Sequence, residues 1–281
     1  MQRNFMKRFF RKLPAYLLLC LFSVSALIPF LYMTATAMTP QAYSLPYPPI
    51  LFPETLYLDN FGEAWHSNHF SEYFGNSVFV SAVATVLSIG LASLAAYGFA
   101  RLQFPGRDFL FVVLLFSMMV PTLTNLLSQF LLIKRLRLMD TYLGLILTYA
   151  GTSVAANTLY LRSSFLSLPR ALEDSVVMDG GGHWTIWWYI VLPLSAPAIG
   201  TFTIMAFSNV WDEFLYALTF IKSPEKRTLP IALKMFQGQN LNNWSLIFAA
   251  SLIALLPILL VYILMQKQLI RGGITDGMLK E

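Results

Sequence analysis

The chain has 281 residues, of which 57% are hydrophobic and only 12% charged, against roughly a quarter charged in an ordinary soluble domain. That composition excludes a water-soluble globule of this size, because too little polar surface is present to cover it, and it makes lipid the natural surrounding. The net charge of +5 does not mark a nucleic-acid binder either: Lys and Arg sit in short clusters between apolar runs, the pattern of membrane loops, rather than along one face.

A bilayer is crossed by about 20 residues of helix, so the chain reads as an all-α integral membrane protein with about six transmembrane helices. The first span, 13–37, follows the basic segment 1–12 with Arg3, Lys7, Arg8, Arg11 and Lys12. A signal peptide begins similarly, but this apolar run is too long for one and no small-residue cleavage site follows cleanly. Cys20 stands alone, so no disulfide framework or thiolate metal site is expected. The next loop, 39–76, is rich in proline and acidic residues and reads as a cap or strut. Its His66 and His69 are too few for a metal site.

Spans two to four are expected at 77–100, 109–132 and 142–165, and spans five and six at 197–221 and 244–266, leaving a tail at 267–281. Pro29, Pro121 and Pro257 fall within spans, where each removes a backbone hydrogen bond and bends its helix. Lys and Arg favour the segments on the side of the N-terminus, which places both termini in the cytoplasm. Lys134, Arg135 and Arg137 oppose that bias.

Span five carries polar residues inside its apolar run. Asn209, Asp212, Glu213 and Tyr216 are spaced to share one face of a continuous helix. A carboxylate at the bilayer centre costs roughly 2.5–3.5 kcal/mol, so exposure to lipid is excluded. That face lines either a cavity, a helix interface or an aqueous pathway.

Between spans four and five lies the segment Leu168 to Pro197, reading LPRALEDSVVMDGGGHWTIWWYIVLPLSAP. Pro169 suits the start of a helix, Glu173 and Asp174 suit its positive N-terminal end, and Leu172 and Val176 lie one turn apart. Asp179 and Gly180 end it, and the run Gly180 to Gly182 permits a sharp turn. An aromatic helix follows from about His183 to Leu192. Physically this is a short amphipathic helix on a flexible corner, which either docks in a partner's groove or lies on lipid with Trp184, Trp187 and Trp188 as anchors.

The order of residues in this segment resembles the EAA loop of permease subunits in binding-protein-dependent ABC importers. That loop reads roughly Pro-x-x-Leu-Glu-Glu-Ala-Ala-x-x-Asp-Gly, then a spacer and Leu-Pro-x-x-x-Pro. Pro169, Leu172, Glu173, Asp174, Asp179, Gly180, Leu192, Pro193 and Pro197 match in register, whereas Asp174, Ser175 and Val176 depart from Glu-Ala-Ala. The stretches Asn76-Ser77, Ala95 to Gly106, Leu138 to Gly144, Thr228 to Pro230 and the tail from Arg271 are similar to the carbohydrate, maltose-type class. The span-five pattern departs too, with Asp212 where that class has an amide.

The resemblance implies a permease subunit in a bacterial inner membrane, forming half a sugar pathway beside a second permease. It implies partners in an ATPase homodimer and an extracytoplasmic sugar-binding protein. Pro169, Leu172, Glu173, Asp174, Val176, Asp179 and Gly180 would couple to the ATPase, and the tail from Arg271 would reach it or fray. Asn209, Asp212, Glu213 and Tyr216 would line the substrate pathway or pack between permeases. No catalytic residue or metal site is expected, and ATP with Mg would bind the partner ATPase, since this chain has no Walker motif or dinucleotide fingerprint. The alternative is an ion-coupled secondary transporter using Asp212 and Glu213. An intramembrane enzyme is disfavoured, because His66, His69 and His183 all lie outside the spans.

Overall fold

The computed structural model describes the backbone of residues 2–40, 42, 45, 48–53, 56–239 and 243–278, and the side chains of that set apart from 2–13, 68 and 269–278. Among the described residues the regular structure is helical throughout. This follows from the solvent: lipid offers no hydrogen bonds, and a helix satisfies its backbone within one segment.

The helices are α1 (Gln2–Ala37), α2 (Asp59–His66), α3 (Phe70–Arg101), α4 (Arg107–Ser117), α5 (Thr122–Arg135), α6 (Tyr142–Leu166) and α7 (Ala171–Met178). There follow α8 (His183–Ile186), a π-helical turn (Trp187–Val191), α9 (Leu192–Leu194), α10 (Ala196–Trp211), α11 (Leu215–Phe220), α12 (Leu229–Gln239) and α13 (Trp244–Met278). The expected segment 1–12 continues α1 rather than preceding it. The expected tail is helical as far as Met278, with side chains beyond 268 outside the described residues.

Three stretches are unbroken, long and apolar enough to cross a bilayer: Pro14–Ala37, Phe70–Arg101 and Trp244–Gln268. Two further candidates are bent pairs, α4 with α5 at 103°, and His183–Leu194 with α10 at 77°. The sequence suggested about six spans, and two of those are interrupted. Pro121, extended at ψ 142°, separates α4 from α5. Span five breaks at residues 212–214 between α10 and α11. Helix α6 has the length, 25 residues, or about 37 Å at 1.5 Å per residue. Its Thr148, Thr152, Asn157, Thr158 and Arg162 make it less apolar than the others. Pro29 and Pro257 lie inside α1 and α13 without ending them.

The chain forms two compact units. The first comprises residues up to Phe70 together with Leu233–Ala254. Here Asn60, buried on α2, donates through Nδ2 to the carbonyls of Ala37 (2.8 Å) and Thr39 (2.9 Å). Ser245 Oγ accepts from the Ala42 amide at 2.9 Å, and the Trp244 amide donates to the Ala42 carbonyl at 2.9 Å. These bonds fix the chain leaving α1 without a strand.

The second unit comprises Ser71–Ala232 and the chain from Leu255. Helix α3 is its axis and contributes to two apolar cores. Val80 and Ala84 meet Leu145, Ile146, Tyr149, Tyr216, Ala217 and Phe220 in one. Ala92, Ala96, Tyr97 and Ala100 meet Leu161, Phe165, Ile186, Trp187 and Val191 in the other. Small residues on α3 let α6 approach closely, and between the cores the buried Asn157 donates to Ser88 Oγ at 2.9 Å.

A polar cluster closes one end of this unit. At the start of α3, Asn76 Nδ2 donates to the carbonyls of Glu225 (2.8 Å) and Arg227 (3.0 Å), and Tyr142 Oη donates to Asn76 Oδ1. Ser77 Oγ accepts the Leu229 amide at 2.7 Å, starting α12. Asp140, in the left-handed region at φ 59° that Asp tolerates, accepts from the Ser223 hydroxyl and from the Ser223 and Lys222 amides. Its carboxylate also lies 3.5 Å from Lys226 Nζ. Thr141 then caps α6, its Oγ1 accepting the Gly144 amide at 3.1 Å in the usual N-cap manner.

Two predictions follow from this end. A Cβ at Gly144 would meet the Leu138 carbonyl oxygen at 2.4 Å, whereas one at Gly151 would meet nothing within 4 Å. Gly144→Ala should therefore cost about 1–3 kcal/mol of stability while Gly151→Ala is neutral, as read by thermal unfolding in detergent. The hydrogen bonds from Ser223, aided by the Lys222 amide and the Lys226 charge, hold the Asp140 carboxyl well below the usual carboxylate range. A depressed folded pKa means stability that is present above the unfolded value, about 3.9, and lost as pH falls further. Asp140→Asn should lower the melting temperature by a constant margin between pH 6 and 8, and that margin should shrink below pH 4.

Candidate functional site

Two places in the second unit combine polar residues with geometry that the cores do not require: the corner around α7, and the break between α10 and α11. Helix α7 starts at Ala171, two residues after Pro169, whose carbonyl accepts the Leu172 amide at 3.3 Å. It stops in a Schellman arrangement: the Gly181 amide donates to Val176 O (2.8 Å) and the Gly180 amide to Val177 O (3.0 Å). Gly180 sits at φ 81°, a conformation a Cβ resists. Gly181 is as constrained, since its Cβ would meet Val176 Cγ1 at 2.5 Å.

The inner face of α7 holds Glu173 and Val176. Val176 packs on the core of Leu161, Phe165, Ile186 and Trp187. Glu173 Oε1 lies 2.8 Å from Arg101 Nε, and the two side chains are only 16% and 4% exposed. The Arg101 Nε–H does not line up on that oxygen as a hydrogen bond would, so the contact is an ion pair. Arg101 Nη2 also donates to the Leu168 carbonyl at 2.7 Å, and one turn earlier Tyr97 Oη lies 3.3 Å from His183 Nδ1. The outer face is uncovered: Leu172, Val177 and Met178 are 40%, 57% and 86% exposed, with Pro169, Asp174, Asp179 and Gly180 exposed beside them. Beyond the corner, Trp184 and Trp188 are exposed while Trp187 is buried. Had the segment lain on lipid, all three would have served as anchors; Trp187 instead fills the core with Val191.

At the other place, the expected single face of Asn209, Asp212, Glu213 and Tyr216 does not exist, because the helix is interrupted after Trp211. Asn209 and Asp212 are exposed, in line with Met205 on α10. Glu213 instead turns inward and caps α11. Its Oε1 accepts the Tyr216 amide (2.9 Å), and its Oε2 accepts the Ala217 amide (3.2 Å) and the Tyr149 hydroxyl (2.7 Å). This is what a helix start at membrane depth requires, since its orphan N–H groups find no water. Tyr216 is buried in the core against Tyr149 and Phe220. Trp211 is buried too, stacked on Phe207.

Sequence reasoning missed the roles of Arg101, Tyr97 and Tyr149. Arg101 could have been found, since an arginine ending a long apolar helix beside a short acidic one invites a pair. Tyr149 could not, because its role depends on a break that local sequence does not announce. Among the described residues no three His, Cys, Asp or Glu side chains gather as a metal site would need.

Long apolar helices, two of them broken, with Glu173 and Glu213 held inside as structural ties, are the features of a polytopic membrane protein. The chain belongs to the family of binding-protein-dependent transport system inner membrane components, which it matches over residues 88–272. It is 33% identical to the sulfoquinovosyl glycerol transport system permease protein SmoH of Agrobacterium fabrum, over 92% of this chain and 90% of that one. It is 34% identical to the arabinooligosaccharides transport system permease protein AraQ of Bacillus subtilis, over 80% of each. The fold is also that of a chain in the crystal structure of a bacterial ABC transporter involved in import of the acidic polysaccharide alginate, with TM-score 0.76, 23% identity and coverage of 93% and 97%. As a permease component the chain carries no catalytic centre of its own. The ion-coupled alternative finds no support, and Glu213, expected there as an ion ligand, is occupied as a helix cap.

Removing that cap leaves two amides unsatisfied at membrane depth. Glu213→Ala should destabilise the chain by about 1–2 kcal/mol and lower its melting temperature in detergent. Asp212→Ala, at an exposed position, should leave the melting temperature unchanged.

Proposed function

We propose that this chain is one of two permease subunits of an ATP-driven sugar or oligosaccharide importer. It forms half the pathway and takes its motion from an ATPase dimer that grips α7. The observation carrying this reading is α7 itself: eight residues rooted on one face and bare on the other. An apolar rim of Leu172, Val177 and Met178 around Asp174 is the form of a helix that fits a partner's groove. Pro169, Asp179 and Gly180 serve it by fixing where it begins and ends. ATP and Mg belong to the ATPase, a second permease completes the pathway, and a sugar-binding protein delivers cargo from outside.

The relatives named above move sulfoquinovosyl glycerol and arabinooligosaccharides, and the trehalose/maltose permease MalG of Thermococcus litoralis is 29% identical over 92% of this chain. All are carbohydrate cargoes. Asn209 and Asp212 present an amide and a carboxylate on the uncovered side of α10, and sugar hydroxyls need such acceptors. On this reading both termini lie in the cytoplasm, α7 faces the ATPase there, and the Asp140 cluster faces the binding protein.

With Met178→Cys in the assembled complex, a short crosslinker should join this chain to the ATPase, and crosslinks to lipid or to the second permease alone would overturn the docking. Asn209→Ala and Asp212→Ala should assemble normally and raise the half-saturating sugar concentration for uptake about tenfold, as the loss of one good hydrogen bond would. Uptake unchanged in both would remove them from the pathway.

A further inference from the structure

Glu173 and Asp174 are adjacent acids on a helix read as an ATPase lever, yet the structure gives them opposite surroundings. Asp174 is exposed. Glu173 is turned inward against a guanidinium that is itself almost wholly covered. Taking both charges from water is unfavourable unless they stay together, so neither is free to seek another partner without stranding the other.

Arg101 does more than balance charge. It ends α3, a helix of 32 residues, and it holds the chain on both sides of the α6–α7 turn: Leu168 O before α7 through Nη2, and Glu173 within it through Nε. Tyr97, one turn back on α3, meets His183 on the far side of the glycine corner. A single side of α3 therefore touches the segment before, within and after α7. The remaining root of α7 is the Val176 packing and the Gly180–Gly181 turn, which fix the corner to α8. Without Arg101, α7 has no charged tie to any long helix in the described second unit.

We propose that the Arg101–Glu173 ion pair is the joint that makes α3 follow α7, so that Glu173 is a positioning residue for coupling and only Asp174 is left to meet the ATPase. This inference rests on the reading of α7 as an ATPase lever. The geometry distinguishes it from docking: a docking acid is exposed and replaceable by a longer or shorter acid, whereas a joint depends on the identity of both members.

The test uses the complete complex in proteoliposomes, with Arg101→Glu, Glu173→Arg, the double swap and Glu173→Gln. Three quantities are read: ATPase copurification, ATP hydrolysis, and sugar moved per ATP hydrolysed. The joint predicts that each single variant still copurifies with the ATPase but moves about tenfold less sugar per ATP, and that the double swap recovers most of the loss, as coupled pairs do. Glu173→Gln keeps the side-chain shape, so a fold defect in the reversals does not hide the result. The proposal is overturned if Glu173→Gln moves as much sugar per ATP as the native complex. It is equally overturned if the double swap recovers nothing, or if Glu173 variants lose the ATPase while Arg101→Glu keeps it, which would make Glu173 a docking contact. Failure of the native chain to copurify with any ATPase would instead refute the lever reading itself.

Discussion

A bilayer supplies no hydrogen bonds, and that one constraint accounts for most of what is unusual in this chain. Every place where a helix stops at membrane depth or at its edge must find partners for the freed backbone within the protein. At the α10–α11 break, Glu213 takes two amides and the Tyr149 hydroxyl. At the start of α6, Thr141 takes the Gly144 amide, and Asn76 takes the carbonyls flanking Lys226. Of the polar residues that look like a binding site in span five, Glu213 is spent on such an end.

The same economy of polar groups explains how a helix only eight residues long keeps its place at the rim. Alone, α7 would be too short to persist in water. It persists because a glycine corner stops it, Val176 anchors it in a core, and a buried arginine holds it by an acid. What is left exposed is a small apolar rim with the carboxylates of Asp174 and Asp179. The Arg101–Glu173 pair connects this rim to α3, which also carries Asn76 near its other end.

The parts legible in the sequence were those set by local chemistry. Composition and run length gave a helical membrane protein, and Pro169 and Gly180 bracketed α7, because helix starts and stops depend on the residues beside them. Span five was misread for the converse reason. The spacing of Asn209, Asp212, Glu213 and Tyr216 describes one face only if the helix continues, and the break there is held open by Tyr149, a residue 64 positions away. Pro121 signalled a bend without fixing its size, which the packing of α4 and α5 sets. Glu173 and Asp174 looked equivalent in sequence, and only the burial of Arg101 separates them.

The central claim is that ATP hydrolysis by a separate chain, and not an ion gradient, drives sugar through the pathway this permease half-encloses. The most direct measurement is uptake of radiolabelled sugar by proteoliposomes holding both permeases and the ATPase, with loaded binding protein outside and ATP within. The account predicts accumulation that persists when ionophores collapse every gradient and stops when ATP is withheld. Accumulation that survives without ATP, or that vanishes with the ionophores while ATP is present, would contradict it.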